Sequence, residues 1–147
     1  MRFWDTSAVV PLLVEEEPGS PIDRVYEPSP MVVWWGTVVE VTSALARRER
    51  AGGLTLEATA RSFELLDHLC RSWREVPPTD ALRRSAQRLL RVHSLRAADS
   101  LQLAAALAVA ADAPGSLEFV CLDVKLAEAA AREGLKVVGV GAVSREL

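Results

Sequence analysis

Histidine occurs only twice in this 147-residue chain, as His68 and His93, and cysteine only twice, as Cys70 and Cys121. Two histidines leave neither a histidine-rich zinc site nor a histidine acid–base pair much to work with. The cysteines are far apart and outside any Cys-x-x-Cys spacing. That is the usage of buried free thiols in a reducing compartment, not of a disulfide framework. No uninterrupted apolar run approaches the roughly 18 residues of a bilayer span, and the first five residues lack the apolar stretch of a secretion signal, so the expectation is a cytoplasmic protein without membrane association. A broad basic face is missing too. Seventeen Lys and Arg stand against 20 Asp and Glu, a net charge of −3, which argues against binding nucleic acid through many phosphate contacts. Catalytic chemistry, if present, falls to carboxylates.

What is present is apolar bulk: 50% of the residues, enough to expect one compact domain over residues 1–147. Residues 2–4 read as a strand running into Asp5-Thr6-Ser7 and an apolar helix over 8–14, with Thr6 or Ser7 as its cap. Glu15-Glu16-Glu17-Pro18-Gly19 ends that helix as a solvated loop. The continuous apolar run 31–35 between Pro30 and Gly36 predicts a strand buried on both faces, with a helix from Thr37 to Arg50 stopped by Gly52-Gly53. Residues 54–73 carry apolar positions at helical spacing, and Glu75-Val76 suggests a brief edge strand. Thr79 or Asp80 caps a helix over 81–92. An alanine-rich helix then runs from the Leu95 to Gln102 region to Ala111, where Pro114-Gly115 breaks it. A buried strand over 117–122, a helix from Asp123 to Glu133 and a last strand over 136–140 complete the chain. The βα alternation predicts an α/β fold: a three-layer α/β/α sandwich on a mainly parallel central sheet.

Four acids share a place on this map. Asp5 and Asp123 follow strands, Glu40 lies in the first turns of the helix after the second strand, and Asp99 is near a helix start. Open α/β sheets bind ligands outside the carboxyl ends of their strands, so these residues can converge on one crevice. Each also has an ordinary role. Asp5 and Asp123 can bind amides at helix starts, Asp99 can complement a helix dipole, and Glu40 can face water. Context weighs against those roles for three of them: Thr6 and Ser7 already offer caps beside Asp5, Asp99 sits among Ala97, Ala98, Leu101 and Leu103, and Glu40 among Val38, Val39 and Val41. An oxygen-only cluster suits Mg²⁺ or Mn²⁺. Two divalent ions would turn −3 into +1, with the positive charge placed where a phosphate sits.

The segments Phe3-Trp4-Asp5-Thr6-Ser7-Ala8, Val39-Glu40-Val41-Thr42-Ser43-Ala44-Leu45, Leu95-Arg96-Ala97-Ala98-Asp99-Ser100-Leu101-Gln102-Leu103-Ala104 and Leu122-Asp123-Val124-Lys125-Leu126-Ala127-Glu128-Ala129-Ala130 resemble, in order, the four acidic motifs of PIN domains. They look most like the VapC-type toxins of toxin–antitoxin pairs, over residues 3 to about 140. The resemblance implies that Asp5, Glu40, Asp99 and Asp123 bind Mg²⁺ or Mn²⁺, with Ser7 or Thr6 as a hydroxyl neighbour of the site. It implies endonucleolytic hydrolysis of RNA, with cleavage by external water leaving a 5′-phosphate and a 3′-hydroxyl. A homodimer and a small antitoxin lying across the acidic cleft are implied partners. The Trp34-Trp35-Gly36 stretch departs from the small polar residue usual before the second motif.

Other features read more plainly. Arg47, Arg48 and Arg50 complement a helix dipole and can also meet RNA. His68 and His93 read as surface or capping residues, and the four tryptophans as core or dimer packing. Two rival classes remain open: a phosphate-handling α/β domain, phosphatase-like or receiver-like, with Asp5 as covalent acceptor, and a catalytically inactive PIN-like interaction module. Against the first, no second aspartate stands two residues after Asp5 and no acidic pair follows the first strand.

Overall fold

In the computed structural model, residues 1–14, 30–111 and 115–139 are described. Five strands form one sheet in the order β3-β2-β1-β4-β5, with every pairing parallel: β1 (Arg2–Trp4), β2 (Met31–Trp34), β3 (Arg74–Val76), β4 (Glu118–Cys121) and β5 (Lys136–Gly139). The helices described are α1 (Thr6–Leu13), α2 (Thr37–Arg50), α3 (Leu56–Ser72), α4 (Asp80–Val92), α5 (Ala97–Ala110) and α6 (Val124–Arg132). Parallel strands need crossovers, and the helices between them supply these.

Side-chain alternation along the short strands feeds two cores. Trp4, Met31, Val33 and Val120 face α1, α2 and α3, while Phe3, Val32, Trp34, Phe119 and Cys121 face α4, α5 and α6. The Phe3 and Phe119 rings stack at 5.7 Å across the β1–β4 pair. This is the three-layer α/β/α sandwich expected from the pattern. Its layering also follows from handedness: the chain steps from β1 to β2 to β3 in one direction and from β3 to β4 to β5 in the other, so right-handed crossovers put the two helix sets on opposite faces. The direction reverses between β1 and β4. At such a switch point the loops leave in opposite directions and open a crevice at the carboxyl ends of the strands.

Boundaries depart from expectation in instructive places. The second strand stops at Trp34, and Trp35 and Gly36 make a turn. Trp35 is therefore 54% exposed and not part of the core, unlike Trp4, Trp34 and Trp73. Asp5, not Thr6 or Ser7, caps α1: its carboxylate accepts from the Ser7 amide, and both hydroxyl residues lie inside the first turn. Thr79 caps α4 and Asp123 caps α6. Arg74–Val76 is a strand at the sheet edge, as the Glu75-Val76 pair suggested. Gly52 after α2 has φ +78°, the left-handed conformation that a helix-ending glycine supplies. The glutamate loop at 15–19, Pro114 and Val140 lie outside the described residues. Among the described residues, no helix is long and apolar enough to cross a membrane.

Candidate active site

The β1–β4 switch point opens into a cleft of about 870 Å³ whose lining includes Asp5, Glu40, Asp99 and Asp123. Each acid arrives on a different element. Asp5 directly follows β1, and its amide donates to the Val120 carbonyl of β4 at 3.0 Å, which fixes it at the switch point. Asp123 lies two residues after β4, Glu40 is in the first turn of α2, and Asp99 is in the first turn of α5.

The ordinary capping roles are real as well. Asp5 Oδ2 accepts from the Ser7 amide at 3.1 Å, and Asp123 Oδ1 from the Leu126 amide at 3.0 Å. Asp99 Oδ2 accepts from the Arg96 amide at 3.3 Å. The nearby hydroxyls do not free Asp5 from capping. Ser7 instead reinforces Asp5: its hydroxyl donates to the same Oδ2 at 2.5 Å and accepts from the Leu122 amide at 2.9 Å, tying α1 to the strand end that leads to Asp123. Glu40 does not simply face water. It is half-buried, with Thr6 Oγ1 at 3.3 Å from Oε1 and Gln102 Nε2 at 3.1 Å from Oε2. Of its valine neighbours Val41 is buried, but Val39 points outward and lines the cleft.

Burial and mutual repulsion set the electrostatics. Asp5 is 4% exposed, and burial pushes its carboxyl up to about 6 against the Ser7 hydrogen bonds, with Asp99 and Asp123 adding like charge. Burial pushes Glu40 up to about 7, the Gln102 and Thr6 hydrogen bonds opposing and Asp5 and Asp99 assisting. Asp99 is raised as well, by burial first and then by Asp123. A cation in the cleft would relieve the cost of ionising these desolvated acids.

The donor set bears on which cation the cleft could take. No histidine lines the cleft. Burial pushes the Cys121 thiol far above its ordinary value, so it offers no thiolate; it lies 3.7 Å from Asp5 Oδ2 and 3.4 Å from the Asp123 carbonyl. Oxygen-only donors fit Mg²⁺ or Mn²⁺ better than zinc. Among the described residues, no three His, Cys, Asp or Glu side chains are gathered so that they could hold an ion unaided. Three of the acids are anchored to backbone amides around an open cleft. That arrangement fits a hydrated ion reached partly through water, the habit of Mg²⁺, better than a closed cage.

Arg47, Arg48 and Arg96 lie on the cleft wall, so arginines at the end of α2 serve the helix dipole and face the cleft together. The sequence alone assigns no part in the site to the side chains of Gln102, Cys121 or Arg96. Gln102 had a readable signal, one polar residue in an otherwise apolar stretch three positions after Asp99. His93 caps α4 and sits 2.8 Å from Glu133, away from the acids, and His68 is exposed.

No protein-family model matches the sequence, and no curated protein does. Among solved structures, PAE2754 from Pyrobaculum aerophilum matches with a TM-score of 0.61 at 20% identity, over 97% of this chain and 93% of that one. FitAcB from Neisseria gonorrhoeae matches with a TM-score of 0.65 at 15% identity, over 96% of this chain and 99% of that one. At such identities the likeness bears on fold alone, and the chain has the PIN-like three-layer α/β fold that its four acidic segments implied.

Proposed function

We propose that the chain is a Mg²⁺- or Mn²⁺-dependent endoribonuclease and the toxin of a VapBC-type toxin–antitoxin pair. The observation that carries this reading is the meeting of Asp5, Glu40, Asp99 and Asp123, from four separate elements, in one cleft at the switch point of the sheet. These four would hold the metal, with Ser7 orienting Asp5 and Thr6 orienting Glu40. A divalent ion there supplies a water of lowered pKa and positive charge for the leaving oxygen. The arginines on the cleft wall would take phosphates next to the scissile one, positioning the strand without reading its bases. Binding of this local kind suits a chain of net charge −3.

Against a phosphoryl-acceptor role for Asp5 stands the sequence: no second aspartate lies two residues after it, and no acidic pair follows β1. The VapC resemblance brings with it a cytoplasmic homodimer and an antitoxin whose segment covers the cleft. Purified protein should cut single-stranded RNA when Mg²⁺ or Mn²⁺ is added and stop when chelator is added. Expression of the wild-type chain alone should arrest growth, and Asp99→Asn should relieve the arrest at equal soluble protein. Arrest by both forms alike would remove the toxin reading.

A further inference from the structure

Gln102 sits on α5 one turn beyond Asp99, fully buried and flanked in sequence by the apolar Leu101 and Leu103. Its amide nitrogen faces three acceptors: Thr6 Oγ1 at 3.0 Å, Thr37 Oγ1 at 3.0 Å and Glu40 Oε2 at 3.1 Å. Two hydrogens serve three oxygens, while the other end of the same amide, Oε1, is buried with no partner among the described residues. A bare buried carbonyl oxygen is destabilising, and buried side-chain polar atoms are nearly always bonded. Methionine has nearly the same volume and no carbonyl to leave bare, but it would take the amide donor away from Thr6, Thr37 and Glu40. With Glu40 ionised, turning the amide over would set Oε1 against a carboxylate oxygen. The nitrogen is held toward Glu40.

The hub also has a geometry. Thr6 accepts from Gln102 and reaches Glu40 Oε1, so both carboxylate oxygens are engaged, and Thr37 ties the amide to the first turn of the helix that carries Glu40. Elements α1, α2 and α5 thus meet at one amide. We infer that Gln102 is a positioning residue, which spends a buried, half-satisfied amide to fix the Glu40 carboxylate toward the cleft for cation binding. The inference rests on the cleft being a cation site, but not on RNA being cut there.

The test is calorimetric titration of the full chain with Mn²⁺ alone, beside thermal melting in chelator. Gln102→Met should weaken Mn²⁺ binding on the order of 10–100-fold, the range seen when a partner that orients a metal ligand is removed, while the protein still melts cooperatively in chelator. Gln102→Asn keeps the amide but shortens its reach; it should weaken binding in the same direction and serves if the methionine variant does not fold. In a Glu40→Ala background, Gln102→Met should change Mn²⁺ affinity no further, since the coupling passes through Glu40. Wild-type Mn²⁺ affinity in Gln102→Met, or an equal loss with Glu40 absent, would overturn the inference. Because heat is the readout, a wild-type chain that binds Mn²⁺ without cutting RNA would count against the nuclease proposal alone.

Discussion

Asp5→Asn is expected to lower metal-dependent RNA cleavage by more than about 100-fold, and Asp99→Asn by a similar factor. Removing a partner that merely orients a metal ligand typically costs 10–100-fold, so removing a ligand charge itself should exceed that range. Asparagine is the informative replacement at position 5. It caps a helix about as well as aspartate, so α1 and the Ser7 contacts that depend on its start should survive. Initial rates on a labelled RNA at saturating Mn²⁺, with circular dichroism to verify the fold, provide the measurement. A folded Asp5→Asn protein that still cuts at near the wild-type rate would remove the carboxylate cluster from the chemistry.

The same substitution should stabilise the metal-free protein. Burial pushes Asp5 up to about 6 and Glu40 up to about 7, above the values these groups take in an unfolded chain. An acid of this kind binds its proton more tightly when folded, so its ionisation weighs against the fold fully above pH 7 and fades as pH falls toward the unfolded value near 4. Metal-free wild type should therefore gain stability between pH 8 and about pH 5. Below that the trend should reverse as Glu133 titrates, since hydrogen bonds from Arg88 and His93 hold it below the usual glutamate range and its stabilisation is lost as it is protonated. Keeping Asp5 ionised costs about 3 kcal/mol. Asp5→Asn should recover much of this at pH 8, at roughly 2–4 °C of melting temperature for each kcal/mol. Divalent ion at a hundred times its dissociation constant should add about 2.7 kcal/mol per site to the wild type and far less to the variant. Melts across pH in chelator and in Mn²⁺ would show both effects, and identical curves for the two proteins would contradict them.

Hydrophobic pattern gave element order and type, because a buried parallel strand such as Met31–Trp34 has no polar face to confuse it. The helix from Thr37 to Arg50 was bounded by Gly36 before it and Gly52 after it. Topology then carried Asp5 and Asp123 to neighbouring strands, which short-range reasoning could anticipate only as a possibility of convergence. Capping at Asp5 is not legible, since a carboxylate beside two hydroxyls does not reveal which of the three faces the free amides. Trp35 and Val39 depart from the core because an apolar residue at a turn or on a cleft wall looks, in sequence, like a buried one. Gln102 hides for the opposite reason. A single amide in an alanine-rich helix shows its meaning only when Thr6, Thr37 and Glu40 are brought to it from up to 96 residues away.

Sequencing the ends of RNA cut by the purified chain tests the central claim most directly. Hydrolysis by a metal-activated water predicts fragments with 5′-phosphate and 3′-hydroxyl ends that form only with Mg²⁺ or Mn²⁺ present and vanish with chelator. Ends carrying 5′-hydroxyl and 2′,3′-cyclic phosphate, or cleavage that chelator leaves untouched, would mean that the ribose hydroxyl is the nucleophile and that the four carboxylates do not perform the reaction.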